Sequence, residues 1–308
     1  MSKILFHDLN NLMVRNFFSS EIQAGTNPQY NLWKYQIFTQ IYWNVVNFEV
    51  DEVILAVDGR HSWRKSYFPR YKAQRSKQKR EDIDWEALYA EYHKFCEEIK
   101  NHIPFKIIQI DKAEADDIIG VLAKYINKES VVVSNDEDFL QLSDHRVKVY
   151  NPNKKDFLEL KENKEYFINR LCLKGQSKDN IFNVNTPSDY PDELKKPGIG
   201  DKKVDKIMES GLNNFLDTEQ NIKKTYTDND GNEQIYQKSF KPRENYHRNW
   251  VLLDFDKIPN IVQNKIKEKY DFYKLPDPEN IYKFFKSKGW NGYLDQYDIV
   301  ERTLLNLY

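Results

Sequence analysis

Lys3-Ile-Leu-Phe-His-Asp8 is a short apolar run ending in an acid, and the arrangement returns at Glu52-Val-Ile-Leu-Ala-Val-Asp58. It comes back twice more, as Phe105-Lys-Ile-Ile-Gln-Ile followed by Glu114-Ala-Asp116-Asp117, and as Val131-Val-Val-Ser-Asn-Asp136-Glu-Asp138. Runs of this length, rich in β-branched residues and separated by helix-length segments, predict buried parallel strands. Parallel strands bring their carboxyl ends to one edge of the sheet, where binding crevices form. The expected fold is a doubly wound, mostly parallel α/β sheet over residues 1–152, followed by a mainly helical domain over residues 153–308. Helical patterns fall at 32–48, 85–101, 116–126 and, briefly, 138–142. Strand signals fade after Val147-Lys-Val-Tyr-Asn-Pro152, which puts the boundary near Asn153.

Each strand-end acid has an ordinary explanation when taken alone. Asp116 and Asp117 suit the first turn of a helix, and Asp136 or Asp138 suits a helix cap. The joint pattern is harder to explain that way, because capping one helix does not require acids at neighbouring strand ends. Asp8, Asp58, Glu114, Asp116, Asp117, Asp136 and Asp138 sharing one crevice would repel strongly at neutral pH unless cations lay among them. Oxygen ligands without clustered His or Cys point to magnesium or manganese rather than zinc. Two such ions side by side suit phosphoester hydrolysis.

The overall charge names no partner: 47 basic residues face 48 acidic ones, for a net charge of -1. Local distribution is more telling. Residues 60–80 hold nine cations (Arg60, Arg64, Lys65, Arg70, Lys72, Arg75, Lys77, Lys79 and Arg80) and no acid, interleaved with Trp63, Tyr67, Phe68 and Tyr71. Such a run just past Asp58 would draw in a polyanion, and its aromatic rings offer stacking surfaces for unpaired bases. The competing reading is a solvated basic helix whose aromatics pack on the core. Further on, Pro197-Gly198-Ile199-Gly200-Asp-Lys202-Lys203 forms a tight turn at a helix start, a phosphate-binding arrangement with added charge.

Other classes are disfavoured. Cys96 and Cys172 lie far apart and in no metal-binding pair, which fits a reducing cytosol. No apolar stretch reaches the ~20 residues that a membrane span needs, so a soluble, unprocessed protein without membrane contact is expected. Asp228-Asn-Asp230-Gly231 resembles a calcium loop, but with Gly231 at the sixth position the first and twelfth fall on Tyr226 and Gln237. A β-hairpin between Thr225-Tyr-Thr and Gln234-Ile-Tyr is the better reading.

In this order, these motifs resemble the 5′-nucleases, or flap endonucleases, and within them the phage ribonuclease H type. The resemblance rests on the Asp8 and Asp58 strand ends, Trp63-Arg64, Pro69-x-Tyr71-Lys72-x-x-Arg75 and Glu114-Ala-Asp116-Asp117. It extends to Asp136-x-Asp138-Phe-x-Gln-Leu, Gly175-x-x-x-Asp179-Asn180 and the Pro-Gly-Ile-Gly turn. It implies one Mg2+ held mainly by Asp8, Asp58, Asp116 and Asp136, with Glu114 and Asp117 in support. A second would be held through water by Asp138 and Asp179, and Mn2+ would substitute. Residues 60–80 would form an arch over the single-stranded 5′ end, with Arg64 and Lys72 near the scissile phosphate and Lys65, Tyr71 and Arg75 on the nucleic acid. Gly198, Gly200, Lys202 and Lys203 would belong to a helix-three-turn-helix that grips duplex backbone, with K+ there.

Two departures stand out. Gln176 occupies a position where the family usually has Asp, so the second ion should bind more weakly. Sixteen residues, 181–196, separate Asn180 from Pro197, more than in bacterial relatives. The implied activity is Mg2+-dependent 5′-to-3′ exonuclease and flap endonuclease action that removes RNA primers and 5′ flaps during replication. Expected substrates are branched or nicked DNA, 5′ flaps and RNA-DNA hybrids, and expected partners a single-stranded-DNA-binding protein and a sliding clamp. The protein would act as a monomer in the cytoplasm of a bacterial host of the virus that encodes it. Two alternatives remain. A haloacid-dehalogenase-like phosphatase needs a second Asp where Asn10 stands, and a decayed structure-specific DNA-binding protein would have begun its decay at Gln176.

Overall fold

The computed structural model describes residues 3–18, 30–76 and 80–308. The chain runs β1 (Lys3–Asp8), α1 (Leu9–Phe17), α2 (Tyr30–Phe48), β2 (Glu52–Val57), α3 (Trp63–Tyr67), α4 (Trp85–His102), β3 (Lys106–Gln109), α5 (Ala115–Tyr125), β4 (Glu129–Val133), β5 (Val147–Asn151) and β6 (Asp156–Leu158). It continues through α6 (Lys164–Lys174), α7 (Asp201–Ser210), α8 (Leu212–Asp217), β7 (Gln220–Thr227), β8 (Glu233–Phe240) and α9 (Pro242–Leu253). It closes with α10 (Asn260–Asp271), α11 (Asn280–Lys288), α12 (Asn291–Leu294) and α13 (Tyr297–Leu305). The short helical signal at 138–142 is a 3-10 turn, Glu137–Leu142.

The main sheet has the order β3-β2-β1-β4-β5-β6, parallel except where β6 runs against β5. The four acid-ended runs are the β1, β2, β3 and β4 strands. Ile4, Leu5, Phe6, Val53, Ile54, Leu55 and Ala56 are wholly inaccessible to solvent, as strands covered on both faces require. Strand order reverses at β1, with β2 on one side and β4 on the other. That reversal leaves the crevice at their carboxyl ends.

The chain folds as two units, and neither is a continuous stretch. One comprises Met1–Ser62, Arg80–Glu159 and Pro259–Tyr308, and the other Trp63–Lys79 and Leu160–Ile258. A division into residues 1–152 and 153–308 therefore differs from the fold in three places, the first being residues 153–159, where β6 extends the main sheet. The C-terminal helices belong with the sheet, because Phe284, Phe285, Trp290, Tyr293, Val300 and Leu304 share one core with Leu5, Phe38 and Leu55. The Phe38 ring lies 5.4 Å from that of Phe285 and 5.2 Å from that of Tyr293. The basic segment goes the other way, since Phe68 and Tyr71 are buried with Ile181, Phe182, Leu252 and Leu253.

The second unit is mainly helical, with a smaller core of Leu173, Val204, Ile207 and Leu216. Its β7-β8 hairpin turns through Gly231, whose φ of 84° suits glycine. The Asp228 carboxylate accepts from the Asp230 and Asn232 amides, so this acid organises a turn. Among the described residues no helix is long and apolar enough to cross a membrane.

Candidate metal centre and nucleic-acid interface

Asp8 is the last residue of β1 and the N-cap of α1, and its Oδ1 accepts from the Asn11 amide at 2.9 Å. In register it faces Ala56, two residues before Asp58 on the neighbouring strand. On the other side His7 is level with Val133, three residues before Asp136. Asp8, Asp58 and Asp136 thus leave three adjacent strands at one end of the sheet.

The start of α5, with Glu114 as its N-cap and Asp116 and Asp117 in its first turn, is bound to the end of β2. Asp58 Oδ1 accepts from the Ala115 amide at 2.8 Å, and the Gly59 amide donates to the Ala113 carbonyl at 2.8 Å. Gly59 allows this approach, because a Cβ there would lie 2.1 Å from the Ile110 carbonyl oxygen. Glu114 and Asp117 form the capping box of α5, with Asp117 Oδ2 accepting from the Glu114 amide at 2.9 Å. Asp117 is fully buried, whereas Asp116 on the next residue is partly exposed. Asp136 caps the 3-10 turn by accepting from the Asp138 amide, and its own amide donates to Ser134 Oγ. Caps thus orient Asp8, Glu114 and Asp136, and strand ends set the places of Asp8, Asp58 and Asp136.

Sequence reading overlooked the residues behind these acids. Asn10 Oδ1 accepts from both the Asp58 amide, at 2.8 Å, and the Tyr92 hydroxyl, at 3.1 Å. Burial, together with the nearby Cys96 thiol and the Asp8 and Asp58 carboxylates, pushes the Tyr92 phenol well above its ordinary range. Asn10 was visible as the third residue of Asp8-x-Asn10, but Tyr92 sits mid-helix in α4 and carries no local signal. Between β1 and β4 a small pocket is lined by His7, Asp8, Asn11, Arg15, Ser134 and Asn135 among others. His7 is held neutral there: burial, then the Arg15 charge, push its imidazole down to about 3.

The donors at this edge are carboxylate oxygens, which fit a hard divalent cation. Among the described residues no three His, Cys, Asp or Glu side chains already converge to enclose an ion.

In the second unit Asp179 is buried within a 3-10 turn, Ser177–Asp179, that follows Gly175. Gly175 has φ 62°, and a Cβ there would lie 2.4 Å from the Ile181 carbonyl oxygen. Gln176 pairs through its backbone with Ile181. Lys202 and Lys203 are exposed on the first turn of α7, and Gly200 is its N-cap.

The basic segment requires a correction. Trp63, Phe68 and Tyr71 are buried, Tyr71 to 2 % exposure, so their rings are not open stacking surfaces. Phe68 packs edge-on against Phe182 at 5.8 Å, with the Arg248 guanidinium 5.1 Å from its ring. Arg64 is 3 % exposed and its Nε donates to the Leu252 carbonyl at 2.8 Å. Apolar burial has claimed these side chains, whereas Lys65, Tyr67 and Arg75 remain accessible. Lys77 and Lys79 lie outside the described residues.

Comparison with known proteins agrees with this architecture. A family model described as the N-terminal resolvase-like domain of 5′-3′ exonucleases matches residues 3–170. The chain belongs to this family of nucleases, which hydrolyse phosphodiester bonds. It is of the phage ribonuclease H type, since a model described as T4 RNase H, C terminal, matches residues 163–298. Ribonuclease H of Enterobacteria phage T4 is 30% identical over 246 residues, covering 77% of this chain and 75% of that protein. A 5′-3′ exonuclease of Buchnera aphidicola is 27% identical over 241 residues, 74% of this chain and 77% of that one. Among solved structures, T5 5′-exonuclease with bound zinc ions aligns with TM-score 0.61 at 18% identity, over 88% of this chain and 100% of that one. A bacteriophage T5 flap endonuclease complex with DNA and metal ions aligns with TM-score 0.54 at 18% identity, over 87% and 98%. At that identity these structures share the fold.

Proposed function

We propose that this nuclease is a Mg2+-dependent 5′-to-3′ exonuclease and flap endonuclease that removes RNA primers and 5′ flaps from duplex DNA during replication. The observation that carries the reading is that Asp8, Asp58 and Asp136 follow three adjacent strands at one end of the parallel sheet, with the start of α5 bound to Asp58 beside them. These four would hold the principal ion, with Asp138 and Asp179 as ligands for a second, weaker one. Bound divalent metal would supply an activated water and neutralise charge on the phosphate. Glu114 and Asp117 orient the first turn of α5, which carries Asp116, and Asn10 holds Asp58. Gly198, Gly200, Lys202 and Lys203 would grip duplex backbone in a helix-three-turn-helix, with K+ as a further ion. The accessible cations of residues 60–80 would bind phosphates of the 5′ strand, with Lys72 near the reacting group. Arg64 would support that segment from within.

Single-stranded-DNA-binding protein and a sliding clamp are the proposed partners of a monomer acting in the host bacterial cytoplasm. A panel of 5′-labelled flap, nicked, gapped and RNA-DNA hybrid substrates, each titrated with Mg2+ and Mn2+, tests the reading. Short labelled products from flap and hybrid are expected. Tight binding of forked DNA without cleavage at any metal concentration would favour the decayed binding protein instead.

A further inference from the structure

Two loops of the second unit, each read from sequence as serving a different ligand, are clasped together. Lys72 adopts the left-handed conformation, with φ 53°, and its amide donates to the Asp179 carbonyl at 2.8 Å. Asn180 Nδ2 donates to the Arg70 carbonyl at 2.8 Å, and Gln74 Nε2 donates to the Ser177 and Lys178 carbonyls at 3.1 and 3.2 Å. A left-handed lysine is strained and persists only where its surroundings enforce it. The clasp ends in an ion pair: Arg75 Nη2 donates to Asp179 Oδ1 at 2.7 Å.

We infer that the Arg75–Asp179 pair is a latch that couples phosphate binding to cation binding, so that nucleic acid releases the Asp179 carboxylate for metal. The inference rests on the proposed role of Asp179 as a cation ligand. The pair is asymmetric. The Arg75 side chain is 55% exposed, whereas that of Asp179 is 11% exposed. The clasp's backbone bonds keep Asp179 in place, while Arg75 is free to turn towards solvent. A divalent cation approaching Oδ1 must displace the guanidinium or share an oxygen with it against like-charge repulsion. A phosphodiester offers that guanidinium a two-pronged acceptor of opposite charge. Occupation of Arg75 by phosphate thus removes the competitor from Asp179, and by linkage bound cation at Asp179 favours phosphate at Arg75 by the same factor.

The test is Mn2+ titration of the full-length protein, read by the electron paramagnetic resonance of free Mn2+. It is run with and without a 5′ flap duplex whose phosphodiesters near the cleavage site are phosphorothioates. Without DNA, Arg75→Gln is expected to bind its weaker class of Mn2+ about fivefold or more tightly than wild type. The flap duplex should tighten that class in wild type by a similar factor and add little in Arg75→Gln, with Arg75→Lys in between. Unchanged or weaker Mn2+ binding by Arg75→Gln overturns the latch, provided Asp179→Asn abolishes the weaker class. If Asp179→Asn keeps that class at full affinity, the ligand role of Asp179 fails and the latch falls with it.

Discussion

Asn10 Oδ1 accepts the backbone N–H of Asp58 at 2.8 Å, tying the end of β2 to the residue two past the end of β1. The same oxygen holds the buried Tyr92 hydroxyl, so one carboxamide fixes the spacing of Asp8 and Asp58 from beneath. Asn10→Ala leaves the Asp58 amide without this acceptor. Loss of such supporting groups typically costs 10- to 100-fold in metal affinity or activity. Asn10→Ala should therefore need at least tenfold more Mg2+ for half-maximal cleavage, and Tyr92→Phe should show a smaller shift. Unchanged Mg2+ dependence in Asn10→Ala would remove this residue from the site's support.

Gly59 lets two backbone segments touch, since a Cβ there would meet the Ile110 carbonyl oxygen at 2.1 Å. Gly59→Ala should push the Ile110–Ala113 loop, and with it the start of α5, away from Asp58 and destabilise the fold by about 1–3 kcal/mol, the range for forced overpacking. Thermal unfolding measures the stability change, and Mg2+ titration of cleavage measures the displaced loop. A variant with wild-type melting temperature would show that the loop yields without cost.

His7 makes stability depend on pH. In the folded chain its imidazole is pushed down to about 3 by burial and by Arg15, and the Asn44 amide nitrogen lies 3.1 Å from its Nε2. The unfolded chain takes up a proton near the ordinary value of about 6.5. Between pH 6.5 and 3 the unfolded state holds more protons, so this contribution to stability falls as pH falls through that window. Going from pH 7 to 5 should remove about 2 kcal/mol through His7 alone. Urea titrations in metal-free buffer at the two values should show a steeper loss for wild type than for His7→Asn. Parallel losses would mean that His7 is protonated in the native state.

The exposed and buried cations should separate by readout. Lys202 and Lys203 are exposed, and each replacement by Ala should weaken duplex binding and lower the slope of log affinity against log salt by about 1. Arg64 is buried against the Leu252 carbonyl, so Arg64→Ala should cost about 1–3 kcal/mol of stability. If Arg64→Ala melts like wild type while Lys202→Ala and Lys203→Ala leave the salt slope unchanged, the division of roles is wrong.

The strands and their acids were legible because period, β-branched content and terminal carboxylates all pointed the same way. Legibility ended where burial depends on a distant partner. The pattern in α11 marks an apolar face, but nothing local says that Phe285 packs on Phe38. In residues 60–80 charge density suggested an open surface, yet Phe68 and Tyr71 found Phe182 and Leu252 more than a hundred residues later. The cap at Asp136 was foreseeable, as was the place of Asp8, Asp58 and Asp136 at neighbouring strand ends. The Asn10–Tyr92 support beneath them was not, because one partner lies mid-helix with no motif around it.

Cleavage of a 5′-labelled flap by wild type, Asp116→Asn and Asp136→Asn across one Mg2+ titration shows whether the strand-end carboxylates hold the metal. Wild type should release short products in a Mg2+-dependent manner and neither variant should release any measurably, with duplex binding retained by all three. Cleavage by Asp136→Asn at the wild-type rate and Mg2+ requirement would contradict the assignment of the strand-end carboxylates as the metal centre.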